Sequence, residues 1–156
     1  MTTNSSPPKR ATVSESRTHG TEAVPLLSAP LAPVCAPSVA SRIHTLRDLG
    51  RETLLRSYRA DEWGAWFQAA GLAPPRLTGP MFDSSLVLAD AAAQGAGVAL
   101  LPVRLFSRDL QGGRLVRLFE AQVELGSYWL TRLKTRRESD AMLAFRSWLV
   151  QRCQVP

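Results

Sequence analysis

The residues best suited to chemistry in this 156-residue chain are few. Met81-Phe82-Asp83-Ser84-Ser85 reads as a strand–turn–helix start. A helix N-terminus presents unpaired N–H groups and partial positive charge, so hydroxyls there can help hold a carboxylate, a phosphate or a sugar. Plain N-capping also explains the motif, and the roles are compatible: one serine can cap while the other faces a ligand. Tyr128 and Trp129 follow Gly126-Ser127 on a strand. Alternation sends one of them toward the core and the other away. A tyrosine hydroxyl at a sheet end is well placed to reach the crevice where open α/β sheets take ligands. Ser84, Ser85 and Tyr128 are therefore the candidate binding residues.

Other chemistries fare worse. No G-x-S-x-G elbow, P-loop or H-E-x-x-H occurs. His19 and His44 cannot build a multi-histidine metal site, and no metal or cofactor is expected. Asp61 and Glu62 are adjacent, and neighbours on a helix face different ways, so capping and dipole effects explain them better than an acid/base pair. Gly95-Ala96-Gly97 follows a helix rather than a strand, which makes it a helix C-cap and not a dinucleotide fingerprint. The chain is not expected to be an enzyme.

The elements that must position these residues alternate in type. Short strands are predicted at 24–27, 31–35, 53–57, 98–102, 115–119 and 128–133, with the first two, split by proline, as edge strands or extended segments. An extended stretch at 77–82 is interrupted by Gly79-Pro80. Helices are predicted at 37–43, 60–70, 86–94, 105–110 and 139–152. Trp63, Trp66, Phe67 and Ala70 share one helical face, and Gly71 ends that helix. Val98–Pro102 is a continuous apolar run, as in a strand covered on both faces. The alternation argues for an α/β layered sheet. Phe145 and Trp148, in the amphipathic last helix, read as core.

Composition sets the surroundings. Hydrophobic residues are 45% and charged residues 21%, enough for one globular domain. No apolar run approaches the roughly 18–20 residues of a membrane span, and no secretory signal opens the chain. Cys35 and Cys153 form no metal or disulfide framework, which fits the cytoplasm. The net charge is +6, of which residues 132–152 supply +4. Nucleic-acid binding through that segment is the less favoured reading beside a solvated basic face. Residues 1–18 are too polar to offset ordering entropy and read as a disordered leader, with a domain over 19–152 and a tail at 153–156.

The order of Thr53–Trp63 (TLLRSYRADEW), Met81–Ser85 (MFDSS), Gln94–Pro102 (QGAGVALLP), Gly126–Leu130 (GSYWL) and Phe145–Leu149 (FRSWL) resembles the effector-binding domain of LysR-type transcriptional regulators. Within that family it is most similar to the regulators of chromosomal β-lactamase. The resemblance implies a type 2 periplasmic-binding-protein-like fold. The chain matches essentially its second subdomain plus the closing C-terminal helix, which in the family packs on the first subdomain. It implies a small-molecule effector, a muropeptide or UDP-MurNAc-pentapeptide, with Ser85 and Tyr128 at the family's pocket serine and tyrosine. It also implies that the DNA-binding helix-turn-helix and most of the first subdomain have no counterpart in these residues, so that DNA is a partner of full-length family members and not of this chain. The closing helix must then dock elsewhere, self-associate or fray. The readings set against an effector-binding fragment are a non-functional gene remnant, a stand-alone solute-binding module and a small enzyme.

Overall fold

Val98–Pro102 (β5) organises the sheet, and every residue of it is buried. In this computed structural model, which describes residues 20–59 and 61–154, a five-stranded sheet has the order β4-β3-β5-β2-β6. Here β2 is Leu31–Cys35, β3 Leu54–Ser57, β4 Met81–Phe82 and β6 Val116–Arg117. β3 runs parallel to both β4 and β5, while β2 is antiparallel to β5 and β6. The expected leader, residues 1–18, lies outside the described residues, as does His19.

Both faces of the sheet are covered, as an unbroken apolar strand requires. On one face Leu54, Val98 and Leu100 pack with Trp63, Trp66 and Phe67 of α2 (Glu62–Ala69) and with Val39 of α1 (Pro37–Ala40). On the other, Leu55, Ala99 and Leu101 pack with Leu88, Ala89 and Ala92 of α3 (Ser85–Ala93). The period-two alternation along β3 and β5 thus deals successive side chains to opposite layers. The indoles are also satisfied as donors: Trp63 Nε1 donates to Leu55 O at 2.8 Å and Trp66 Nε1 to Ala121 O at 3.0 Å.

The helix boundaries follow from capping chemistry. Asp61 caps α2 by accepting the Gly64 N–H at 2.9 Å. At its end, Gly71 takes φ +74°, and Gly71 N and Leu72 N bond back to Gln68 O and Phe67 O. α3 closes the same way, with Gly95 at φ +85° and Gly95 N and Ala96 N bonded to Ala92 O and Ala91 O. Both are Schellman closures, which need a residue tolerant of the left-handed region. α4 (Ser107–Gln111) is a short helix after β5.

One strand reading is corrected. β2 carries Pro33 yet is not an edge: it lies between β5 and β6. Leu31 exchanges N–H···O bonds with Val123, and Pro33 O accepts Leu118 N on the same side, since alternate residues point their backbone groups one way. The missing proline N–H therefore falls in the break between the isolated Leu31–Val123 bridge and β6, and the pairing to β5 loses nothing.

The chain divides into two compact units, residues 26–128 and the described parts of 1–25 with 129–156. β1 (Thr21–Ser28) pairs with β7 (Ser127–Leu133), and the bonds Ala29 N to Gly126 O and Lys134 N to Gly20 O show that they run antiparallel. In the smaller unit, α5 (Asp140–Gln154) departs from expectation. Phe145 and Trp148 are not core but 56% and 54% exposed. Their spacing sets them one turn apart, so they stack on each other at 5.9 Å between centroids. Periodicity identified a shared face but carries no information about what covers it. Part of the basic segment is locally balanced: Arg132 pairs with Glu22 and Glu138, and Arg146 with Glu138. Among the described residues, no helix is long and apolar enough to cross a membrane.

Candidate functional site

Two parallel strands, β3 and β4, end beside one another, and each is followed by a helix that starts at the same end of the sheet. Strand carboxyl ends and helix N-termini therefore converge, which is the general location of ligand sites in such sheets. A cavity of about 200 Å³ lies here, lined by Ser57 from the end of β3, Arg59 and Glu62 at the start of α2, Ser85 at the start of α3, Leu100 and Pro102 from β5, and Ser127 and Tyr128 from β7. All of these residues belong to the larger unit.

The three sequence candidates separate. Ser84 is the N-cap of α3, its Oγ accepting the Leu86 N–H at 3.3 Å, and it does not line the cavity. Ser85, one residue on, does. Tyr128 is half-buried and lines the same cavity, while Trp129 points to the exposed side of the strand. Ser85 and Tyr128 are thus brought together and Ser84 is given to the backbone. His44 is exposed, and its backbone N–H donates to Asp48 rather than to any site. Among the described residues, no cluster of three His, Cys, Asp or Glu side chains is placed to hold a metal ion.

Ser57, Arg59 and Ser127 were not read as candidates from the sequence, and Glu62 was read only as a helix-start residue; all four line the cavity. The signal for Ser57, Arg59 and Glu62 was present. β3 and α2 repeat the strand–turn–helix arrangement of β4 and α3, so the reasoning applied to Met81–Ser85 applies equally to Leu54–Glu62. Glu62 sits in the first turn of α2, as the dipole argument expected, but it also faces the cavity. Burial pushes its carboxyl above the ordinary carboxylate range, with Arg59 partly opposing the rise. The Arg59 guanidinium is held protonated above its ordinary range, first by a hydrogen bond with Tyr58 and then by the fields of Tyr58, Tyr128 and Glu62. Ser57 Oγ accepts the Arg59 N–H at 3.2 Å. The result is a small pocket with hydroxyls, one cation and one partly desolvated carboxylate over an apolar floor. That suits binding a polar molecule.

Comparison with known proteins gives this arrangement a lineage. The LysR substrate binding domain family matches residues 11–154. The chain belongs to that family. It is 52% identical over 139 residues to the HTH-type transcriptional activator AmpR of Pseudomonas aeruginosa, covering 88% of this chain and 47% of that protein. It is 43% identical over 133 residues to the carbapenem-hydrolyzing beta-lactamase transcriptional activator of Serratia marcescens, covering 83% and 46%. The chain therefore spans about half the length of these curated relatives. Among solved structures, the effector domain of AmpR of Pseudomonas aeruginosa superposes with a TM-score of 0.81 at 54% identity, covering 88% of this chain and 68% of that one. The effector binding domain of Citrobacter freundii, solved with threonine-to-valine, serine-to-alanine and tyrosine-to-phenylalanine substitutions, gives 0.81 at 45% identity, covering 87% and 70%. The fold is that of the LysR effector-binding domain, an α/β sheet of the type 2 periplasmic-binding-protein kind.

Proposed function

We propose that this chain is the effector-binding part of a LysR-type transcriptional regulator of β-lactamase expression, acting in the cytoplasm, and that its cavity senses cell-wall muropeptides or UDP-MurNAc-pentapeptide through Ser85 and Tyr128. The observation that carries this reading is the convergence of those two residues on one cavity. A second fact supports it. The serine and tyrosine substituted in the Citrobacter freundii domain stand 43 residues apart, the separation of Ser85 and Tyr128 here. The threonine substituted with them, 118 residues before that serine, has no counterpart among residues 1–156. In this reading DNA recognition and part of the effector's enclosure belong to regions of such regulators that these residues do not include. Ser84 serves the site indirectly, by fixing the first turn that carries Ser85.

The effector is held weakly. A cavity of about 200 Å³ is below the roughly 300–1,000 Å³ of ordinary small-molecule sites. A millimolar dissociation constant corresponds to only about 4 kcal/mol. The test is a chemical-shift titration with an N-acetylmuramyl peptide. The backbone amides of Ser57, Ser85 and Tyr128 should shift together without saturating at micromolar ligand. Shifts confined to another surface would overturn the assignment.

A further inference from the structure

Four charged side chains gather where β3 meets α2, and the fold uses only two of them. Arg56 Nε donates to Gly79 O at 2.8 Å, tying β3 to the loop before β4. Asp61 caps α2 through Gly64 N. Arg59 and Glu62 remain, both on the cavity wall. Among the described residues no ion pair joins them; Arg59 is supported instead by the Tyr58 side chain, whose ring centroid lies 5.8 Å from the guanidinium carbon. Cation and carboxylate thus face one small space without neutralising each other directly. The Ser57 oxygen already accepts the Arg59 N–H, which leaves its hydroxyl proton free to donate. A second hollow of about 320 Å³ shares Ser57, Arg59 and Glu62 and continues past Leu77 and Met81, so the charged pair borders both spaces.

We propose that Arg59 and Glu62 recognise a zwitterionic end of α-amino-acid type, its carboxylate on Arg59 and its ammonium on Glu62, with Ser57, Ser85 and Tyr128 supplying hydroxyls around it. Glu62 is partly buried and Arg59 exposed, so a ligand without an ammonium leaves a partly desolvated carboxylate unmatched, and one without a carboxylate forgoes the contact with Arg59. The raised protonation range of Glu62 accords with a carboxylate short of water, which the charge of Arg59 only partly offsets. This inference rests on the reading of the cavity as the effector site and specifies the chemistry of one end of the effector.

Titration of the full chain with glycine, N-acetylglycine and glycinamide, beside the N-acetylmuramyl peptide, tests it. Glycine should shift the Ser57, Ser85 and Tyr128 amides at least fivefold more than either single-charge probe at equal concentration. Glu62→Gln should abolish the preference over N-acetylglycine, and Arg59→Gln the preference over glycinamide, with Arg59→Lys restoring part of it. Equal responses to the three small probes, with the muramyl peptide still shifting these amides, would overturn the zwitterion proposal and leave the effector site standing. Selection of glycine without any response to the muramyl peptide would support the proposal and remove the muropeptide reading. Silence of these amides toward every probe would overturn both.

Discussion

Ser84 and Ser85 are neighbours that the start of α3 sends to different tasks. Ser84 Oγ accepts the Leu86 N–H, closing the helix end, while Ser85 faces the cavity that Tyr128 borders from the other side of the sequence. The division follows from geometry. The N-cap residue is extended, at φ −126° and ψ 128°, and its side chain folds over the first turn, whereas the next residue has already entered the helix.

Substitution should separate the two tasks. Ser84→Ala is expected to lower stability by about 1 kcal/mol while leaving the cavity's ligand response in place. Ser85→Ala should weaken the ligand response and leave stability unchanged. Urea denaturation and shift titration of both variants check this, and a ligand response lost in Ser84→Ala at unchanged stability would contradict it.

The α2 layer should be the most sensitive part of the core. Trp66 is fully buried, packs edge-on against Phe67 and Trp63, and donates to Ala121 O. Trp66→Ala is expected to cost about 3–5 kcal/mol, from the cavity left and the unpaired carbonyl. Denaturant unfolding would measure it.

Gly97 precedes β5 at φ +154°, with its α-carbon against the Thr53 backbone; a Cβ there would run into the Thr53 carbonyl oxygen. Gly113, at φ +71°, has open space around it. Gly97→Ala should therefore destabilise more than Gly113→Ala, whose cost is the backbone strain of about 1–3 kcal/mol alone. Thermal melts of the two variants would rank them.

Cys35 sits wholly buried at the end of β2. Burial, with Glu52 adding to it and Arg42 opposing, pushes its thiol up to about 11 from 9.0. Because the folded chain resists ionising this thiol, its contribution to stability is complete below pH 9.0 and is lost as pH rises toward 11. Over that window the parent should lose stability relative to Cys35→Ala, read as the difference between their urea midpoints. At pH 8 the native Cys35 should resist alkylation until the chain unfolds.

Much of this fold was legible in the sequence, because the signals were local. The α2 stripe of Trp63, Trp66 and Phe67, the Gly71 and Gly95 closures and the apolar run of β5 each depend on a few adjacent residues. What escaped depends on partners. Pro33 is tolerated inside the sheet only because β6 and the Leu31–Val123 bridge leave a gap at its nitrogen. Phe145 and Trp148 have a core-like spacing, but spacing says nothing about a covering surface. Arg59 and Glu62 read as ordinary residues of a helix start until β3 and β4 are known to end together.

The most direct test of the site is a titration of four proteins with the N-acetylmuramyl peptide: the parent, Ser85→Ala, Tyr128→Phe and the double variant. The expected result is that each single substitution weakens binding at least fivefold without changing the thermal melt. The double variant should lose less than the product of the two, because both hydroxyls act on one ligand in one cavity. Binding by both single variants equal to that of the parent would show that the effector lies elsewhere.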